Sequence, residues 1–174
     1  MKKIIVLGLV IAFFTSCNEK QRYTQQSPEI DTYKKVIAAY EKQNWNELAT
    51  YYADTAKIQM NLTKEKAQTL PQNIAMNKED AKLFTSWNFI SKDAEYEMVV
   101  TDKGETWVNF WADWQGTLKS NNKTYTIPCS LTARFVDGKI VRELGYWNST
   151  ELVLDIQKNS PPPSTNDDVT EQKK

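Results

Sequence analysis

Hydrophobic and polar residues alternate along most of the chain from Glu95 to Ile156. Polar turns at Lys103-Gly104, Asn121-Asn122 and Asp137-Gly138 divide this stretch into extended segments. Side chains alternate between the two faces of a strand, and Asp-Gly is typical of a two-residue hairpin turn. The pattern therefore predicts a four-stranded antiparallel meander.

Two-residue turns predict the register of this meander. The turn at Asn121-Asn122 pairs Trp114 with Cys129, and the turn at Asp137-Gly138 pairs Cys129 with Tyr146. One face is then apolar and consists of Val108, Phe110, Ala112, Trp114, Ile127, Cys129, Leu131, Ala133, Phe135, Ile140, Leu144 and Tyr146. The other face carries Asn109, Asp113, Gln115, Thr126, Ser130, Thr132, Arg134 and Glu143, together with Trp107, Trp111 and Trp147. A one-residue bulge would exchange the two faces.

Upstream of the meander, the spacing of apolar residues predicts helices and one strand. Ser27-Pro28-Glu29 is typical of a helix start, with a capping hydroxyl, a proline in the first turn and an acid. A short helix follows from Trp45, with Leu48 and Tyr52 on its apolar side, and residues 55–62 alternate as a strand.

The next segment is predicted as a loop and then a helix. Pro71 favours a loop over residues 63–76. Asn77 and Asp80 resemble a capping pair that begins a helix. The inward residues of this helix would be Leu83, Phe84, Trp87 and Ile90.

Residues 1–16 have the form of a targeting signal. Lys2-Lys3 precede a short apolar core, and Phe14-Thr15-Ser16-Cys17 resembles a bacterial lipobox, in which Cys17 would become the lipidated N-terminus. The alternative is an ordinary secretory signal. We expect a lipid-anchored protein of the bacterial cell envelope, in the outer rather than the inner membrane.

The predicted organisation after the signal has three parts. Residues 17–26 are polar and form a tether, residues 27–158 form one domain, and residues 159–174 form a disordered tail after three consecutive prolines. With 40% apolar residues, this domain can bury a core. A net charge of zero without basic runs disfavours nucleic-acid binding. The chain contains no histidine and two cysteines, so we expect no metal and no cofactor.

Two segments resemble the marker segments of the SnoaL-like branch of the nuclear transport factor 2-like superfamily. They are Trp45–Asn61 (WNELATYYADTAKIQMN) and Phe135–Asn148 (FVDGKIVRELGYWN). The resemblance implies an α+β fold in which a curved antiparallel sheet wraps around N-terminal helices to form a cone. The superfamily includes polyketide cyclases, ketosteroid isomerase and epoxide hydrolases, as well as binding modules. Its members often dimerise through the sheet.

The resemblance also implies where catalytic carboxylates would lie. Those positions fall at Met60 and Asn148, which cannot act as bases near neutral pH. We therefore expect binding of a small hydrophobic ligand or a protein partner without catalysis. The alternative is an isomerase, cyclase or hydrolase of small hydrophobic substrates that uses Asp113 or a tyrosine.

Candidate ligand-contacting residues are aromatic or polar residues of the predicted inward faces. They are Tyr40, Phe84, Trp87, Trp114, Arg142, Tyr146 and Asn148. Arg142 could clamp an anion or pair with Glu97 or Asp54, and the aromatic residues could simply be core. Trp107, Trp111 and Trp147 predict a homodimer face, because an exposed apolar patch usually marks a contact surface.

Overall fold

The computed structural model describes residues 22–159. Its elements are β1 (Tyr23–Thr24), α1 (Pro28–Glu41), α2 (Trp45–Ala49), β2 (Tyr52–Met60), α3 (Leu70–Ala81), β3 (Phe84–Phe89), β4 (Glu95–Val100), β5 (Thr106–Leu118), β6 (Thr124–Val136), β7 (Lys139–Trp147) and α4 (Thr150–Asn159). Short 3-10 turns lie at Lys64–Lys66 and Ser91–Asp93. Cys17 and residues 160–174 lie outside the described residues.

The strands form one curved sheet in the order β1-β4-β5-β6-β7-β2, and β3 pairs with β5 beyond the end of β4. All pairings are antiparallel except that of β2 with β7. Helix α1 packs into the concave face, where Tyr33 and Phe110 are fully buried. The predicted α+β architecture, with a curved sheet wrapped around N-terminal helices, is confirmed.

Helix α1 begins where the sequence predicts. The Ser27 hydroxyl accepts a hydrogen bond from the Ile30 N–H at 3.2 Å, and Pro28 occupies the first turn, where a missing N–H costs nothing. The predicted short helix at Trp45 is also present as α2. Tyr52, however, begins β2 rather than continuing that helix.

The predicted helix from Asn77 to Ile90 is wrong. Helix α3 begins earlier, after Thr69, whose N–H donates to the Gln72 side chain at 2.9 Å, and Pro71 lies in its first turn. A strand, β3, then follows. A bulge between Phe84 and Ser86 interrupts the alternation of side chains between the two faces of β3. The spacing of its buried residues therefore resembles that of a helix. These buried residues are Phe84, Trp87 and Phe89.

The β5–β6 hairpin differs from the predicted register by two residues. Residues 119–122 form the loop, since the Leu118 N–H donates to the Lys123 carbonyl at 2.9 Å. Trp114 consequently pairs with Ile127 rather than with Cys129. A shift of two residues preserves the faces of the strands. The predicted inward residues of β5 and β6 therefore remain inward.

The β6–β7 hairpin differs from the prediction by a bulge. The turn at Asp137-Gly138 pairs Val136 with Lys139 as predicted, but Arg134 then pairs with Arg142, which leaves Val141 as the extra residue. Beyond this bulge, every side chain of β7 faces the side opposite to the predicted one.

The two ends of the domain also differ from the prediction. Tyr23–Thr24 pairs with β4, and Arg22 forms an ion pair with Asp102, so these residues belong to the sheet edge rather than to a tether. The last strand ends at Trp147 and is followed by α4, whereas an extended segment to Ile156 was predicted. The Asn148 side chain accepts a hydrogen bond from the Thr150 N–H at 3.0 Å at the start of α4.

Candidate ligand-binding cavity

The concave side of the sheet is hollow. Helices α1, α3 and α4, together with β2, β3, β5, β6 and β7, surround a cavity of about 410 Å³. Its lining is mainly apolar, and the aromatic residues in it are Tyr40, Tyr52, Phe84, Phe89, Trp87, Trp114 and Trp147. This volume lies within the range of about 300–1,000 Å³ that is typical of small-molecule sites.

Four of the predicted ligand-contacting residues line this cavity: Tyr40, Phe84, Trp87 and Trp114. Tyr40 stacks on Trp87 with ring centroids 5.2 Å apart and an interplanar angle of 3°. Phe84 meets Trp114 edge-on at 5.2 Å. These contacts hold the rings in fixed orientations, so this wall of the cavity is preformed.

The position of Trp114 depends on a glycine. The indole ring lies directly over Gly116, where an added Cβ would lie 2.2 Å from Trp114 Cη2. The absence of a side chain at Gly116 therefore lets this ring lie flat against its own strand.

Arg142, Tyr146 and Asn148 do not line the cavity, and their assignment to the pocket is wrong. The bulge at Val141 turns Arg142 and Tyr146 to the convex face, where Tyr146 is 54% exposed. The Arg142 guanidinium donates to Gln59 Oε1 at 2.8 and 3.0 Å and does not pair with Glu97 or Asp54. Asn148 is exposed and caps α4.

The same bulge moves Trp147 into the cavity lining, so its assignment to the convex face is wrong. Trp107 and Trp111 do lie on the convex face, and Trp111 is 39% exposed there. The Trp107 indole is half-buried and donates to Glu105 at 3.2 Å. Asp113 also lies on the convex face, outside the cavity.

Glu143 is the acid that the predicted register misplaced. The bulge turns it to the concave face, where it lines the cavity and is only 3% exposed. Tyr33 donates to Oε1 at 2.6 Å, and Tyr52 donates to Oε2 at 2.7 Å. A carboxyl group thus lies in the apolar cavity, held by two tyrosines from α1 and β2.

Burial governs the electrostatics of this triad. Burial raises the pKa of Glu143 above its usual value of 4.5, although the hydrogen bonds from Tyr33 and Tyr52 lower it in part. Burial, followed by the proximity of Glu143, raises the pKa of both tyrosines. Both tyrosines therefore remain neutral donors, and protonation of Glu143 costs less than protonation of an exposed glutamate.

Polar residues also line the cavity. Asn61 and Asp80 are exposed and lie at its mouth, and Asn77 and Ser149 are half-buried, whereas Asn73 is only 5% exposed. Asn77 donates to the Asn73 side chain at 3.1 Å. The mouth therefore carries exposed polar side chains, while most of the lining is apolar.

Helix α4 covers one side of the cavity with Leu152, Val153 and Ile156. Its position is fixed through Asp155, which accepts hydrogen bonds from Lys123 at 2.9 Å and Tyr125 at 2.8 Å. The interaction with Lys123, and then that with Tyr125, lowers the pKa of Asp155 to about 2. The β5–β6 turn therefore anchors α4 over the cavity.

Met60 and Cys129 are further lining residues without acid–base function. Burial raises the pKa of the Cys129 thiol to about 11, so this cysteine is a poor nucleophile at neutral pH. Within residues 22–159, no group of acids, cysteines or histidines could hold a metal ion. No helix in the described part of the chain is long and apolar enough to cross a membrane.

One sequence signal could have located Glu143. Tyr33 lies on the apolar stripe of α1, and a buried tyrosine hydroxyl needs an acceptor. Glu143 was the only acid in the last strand of the meander that a one-residue bulge could turn inward. The bulge itself has no glycine or other signature at Val141.

No protein-family model and no curated protein matches the chain. Solved structures do resemble it. A candidate SnoaL-like polyketide cyclase from Shewanella denitrificans shares 13% identity with a TM-score of 0.59, over 76% of this chain and 99% of its own. An NTF2-like protein of unknown function from Burkholderia pseudomallei shares 12% identity with a TM-score of 0.58, over 74% of this chain and 97% of its own.

A third similar structure holds a small molecule. It is a hypothetical protein with a ketosteroid isomerase-like fold from Catenulispora acidiphila, in complex with trimethylamine. It shares 16% identity with a TM-score of 0.53, over 67% of this chain and 84% of its own. At such low identities the similarity concerns the fold. The described domain has the nuclear transport factor 2-like fold of the SnoaL-like proteins.

Proposed function

We propose that this protein binds a small, largely apolar molecule inside the cone. The observation that carries the proposal is the cavity of about 410 Å³, in which apolar side chains surround a single buried carboxyl group. Binding sites for small molecules typically combine an apolar lining with a few polar groups that orient the ligand. Here Glu143 and Tyr52 are two polar groups of the lining that a ligand could contact, and the buried indole N–H groups of Trp87 and Trp114 have no hydrogen-bond partner among the described residues.

The anchoring role of Glu143 follows from its hydrogen bonds. Each carboxyl oxygen accepts one bond from a tyrosine, and each retains a lone pair. A hydroxyl or amine group of a ligand can donate to that lone pair while the rest of the ligand contacts Trp87 and Trp114.

Cavity binding can be tested with N-phenyl-1-naphthylamine, an uncharged dye that fluoresces in apolar surroundings. We expect saturable binding of one dye per chain. Cys129→Phe would fill the cavity and abolish binding, whereas Ser130→Phe, on the neighbouring residue and the opposite face, would not. Equal binding by both variants, or no saturable binding by the wild-type protein, would contradict the proposal.

A second candidate function is catalysis, and the position of Glu143 favours it. A buried carboxyl with a raised pKa, beside the tyrosine donor Tyr52, is suited to general acid–base chemistry. One structural neighbour is a candidate polyketide cyclase. The test is turnover of ketosteroid, epoxide and polyketide substrates. Turnover that Glu143→Gln abolishes, and that the matched surface variant Glu95→Gln retains, would establish catalysis over binding alone.

Anchoring to the cell envelope through lipid on Cys17 is part of the proposal. It is supported by the resemblance of Phe14-Thr15-Ser16-Cys17 to a lipobox. We expect the outer rather than the inner membrane. Cys17→Ser should leave the protein unprocessed or soluble. A processed protein that still fractionates with membranes after this change would contradict lipidation.

Self-association through the convex face is also proposed. Trp111, Ser130 and Tyr146 lie side by side on β5, β6 and β7, with Trp111 39% and Tyr146 54% exposed. Trp111→Glu should shift the sedimentation of the protein toward monomer without changing its circular dichroism. A wild-type protein that sediments as a monomer at high concentration would contradict the homodimer. The convex face would then be a candidate contact surface for a different protein.

A further inference from the structure

The cavity is lined by acids but by no bases. Two carboxyl groups contribute to the lining, Glu143 in the interior and Asp80 at the mouth. Among the described residues, neither a lysine nor an arginine contributes to it. The charged side chains of the lining therefore repel an anionic ligand and attract a cationic one.

Glu143 is buried without a positive partner. It forms no ion pair within residues 22–159, and both of its hydrogen-bond donors are neutral tyrosines. The adjacent arginine, Arg142, points away and donates to Gln59. Removing a carboxylate from water without a counter-charge is costly. A cation bound beside Glu143 would supply the counter-charge that the residues around this carboxylate do not provide.

The aromatic residues of the lining suit the same ligand. Tyr40 and Trp87 form a parallel stack, and Trp114 and Trp147 line other parts of the cavity. The face of an aromatic ring attracts a cation, and tryptophan does so most strongly. An apolar cage of this kind excludes well-hydrated ions and favours an organic cation whose charge is surrounded by carbon.

We propose that the cavity binds a small hydrophobic cation, an amine or a quaternary ammonium compound, with its charged group beside Glu143. This inference rests on the proposed function, because it names the ligand class for the same cavity. The acid supplies the charge partner, the tyrosines hold that acid in place, and the tryptophans contact the hydrocarbon part.

The test uses three compounds with the same hydrocarbon cage and different charges: 1-adamantanamine, 1-adamantanol and 1-adamantanecarboxylate. Their affinities for the purified full-length protein are measured by isothermal titration calorimetry at neutral pH. Both the alcohol and the amine can donate a hydrogen bond to Glu143, but only the ammonium group adds the attraction of an opposite charge in an apolar cavity, so we expect the amine to bind at least about tenfold more tightly than the alcohol. The carboxylate should bind most weakly.

Variants assign the preference to the interior acid. In Glu143→Gln, the alcohol should retain its affinity while the amine loses its advantage. The matched surface variant Glu95→Gln should behave as the wild-type protein. Asp80→Asn should reduce the preference only slightly, because this acid is exposed to solvent, which screens its charge.

Each contrary outcome is distinct. If the alcohol binds and the amine binds no better, the cation inference is wrong while the cavity remains a binding site. If the preference for the amine persists in Glu143→Gln, Glu143 is not its source and the inference is wrong. If none of the three compounds binds, the proposed function fails and this inference fails with it.

Discussion

Glu143 is a buried acid in the cavity lining, and Glu143→Gln directly probes its protonation state. The amide has the shape of the carboxyl group and keeps an oxygen that can accept from Tyr33 or Tyr52. The substitution therefore removes the titrating group and leaves the packing nearly unchanged. The quantity to compare is the free energy of unfolding of the two proteins as a function of pH.

The sign of the effect follows from the raised pKa. Below the unfolded-state pKa of about 4.5, Glu143 is protonated in both the folded and the unfolded protein, and its contribution to stability is fully present. As the pH rises, the unfolded state loses this proton first, because the pKa of the folded state is higher. The wild-type protein then loses up to about 1.4 kcal/mol of stability per pH unit relative to the variant. The loss stops above the folded-state pKa.

The assay is urea denaturation followed by tryptophan fluorescence, from about pH 4, just below the unfolded-state pKa, upward to about pH 8. Glu95→Gln serves as the matched control, since it removes an exposed glutamate from β4. A difference between wild type and Glu143→Gln that does not change with pH would refute the reasoning. A difference that grows in favour of the wild type would show that the tyrosine hydrogen bonds outweigh burial and keep Glu143 ionised.

Three further substitutions test the structure around the site by urea denaturation. Tyr33→Phe removes the 2.6 Å bond to Glu143 and should cost about 1–3 kcal/mol, and an unchanged stability would mean that this bond does not form. Gly116→Ala should displace the Trp114 ring, cost about 1–3 kcal/mol and shift the fluorescence maximum, whereas a wild-type spectrum would contradict the close approach. Ser27→Ala should cost about 1 kcal/mol, but Ser27→Gly only a few tenths; equal losses would argue against the capping bond.

Local chemistry made part of the fold predictable. The start of α1 follows from a cap and a proline, which act within one turn of helix. The β6–β7 turn follows from Asp137-Gly138, since both residues have the positive φ angles, 49° and 73°, that this turn type requires. Neither feature depends on distant contacts, and both are found where the sequence predicts them.

Features that depend on tertiary contacts were not predictable from the pattern. The β7 bulge at Val141 lies in a strand that forms hydrogen bonds with two neighbours, β6 on one side and β2 on the other. This bulge changes the lining of the cavity, because one extra residue turns Glu143 and Trp147 to the concave face and Arg142 and Tyr146 to the convex face. Tyr40 and Trp114 line the cavity from α1 and β5, whose inward faces agree with the prediction, whereas Phe84 and Trp87 line it from β3, which was predicted as a helix.

The prediction of a helix at the position of β3 was wrong for a related reason. A bulge between Phe84 and Ser86 gives its buried residues a spacing that fits a helix as well as a strand. Short apolar segments of this kind cannot be assigned from periodicity alone. This segment is a strand because it pairs with β5, and that pairing is a long-range contact.

A crystal structure of the protein grown with 1-adamantanol tests most directly whether the cone is a binding site. We expect electron density for the hydrocarbon cage between Trp87, Trp114 and Leu131, with the hydroxyl group within hydrogen-bond distance of Glu143 or Tyr52. A cavity closed by its own side chains, or a ligand found only on the convex face, would contradict it.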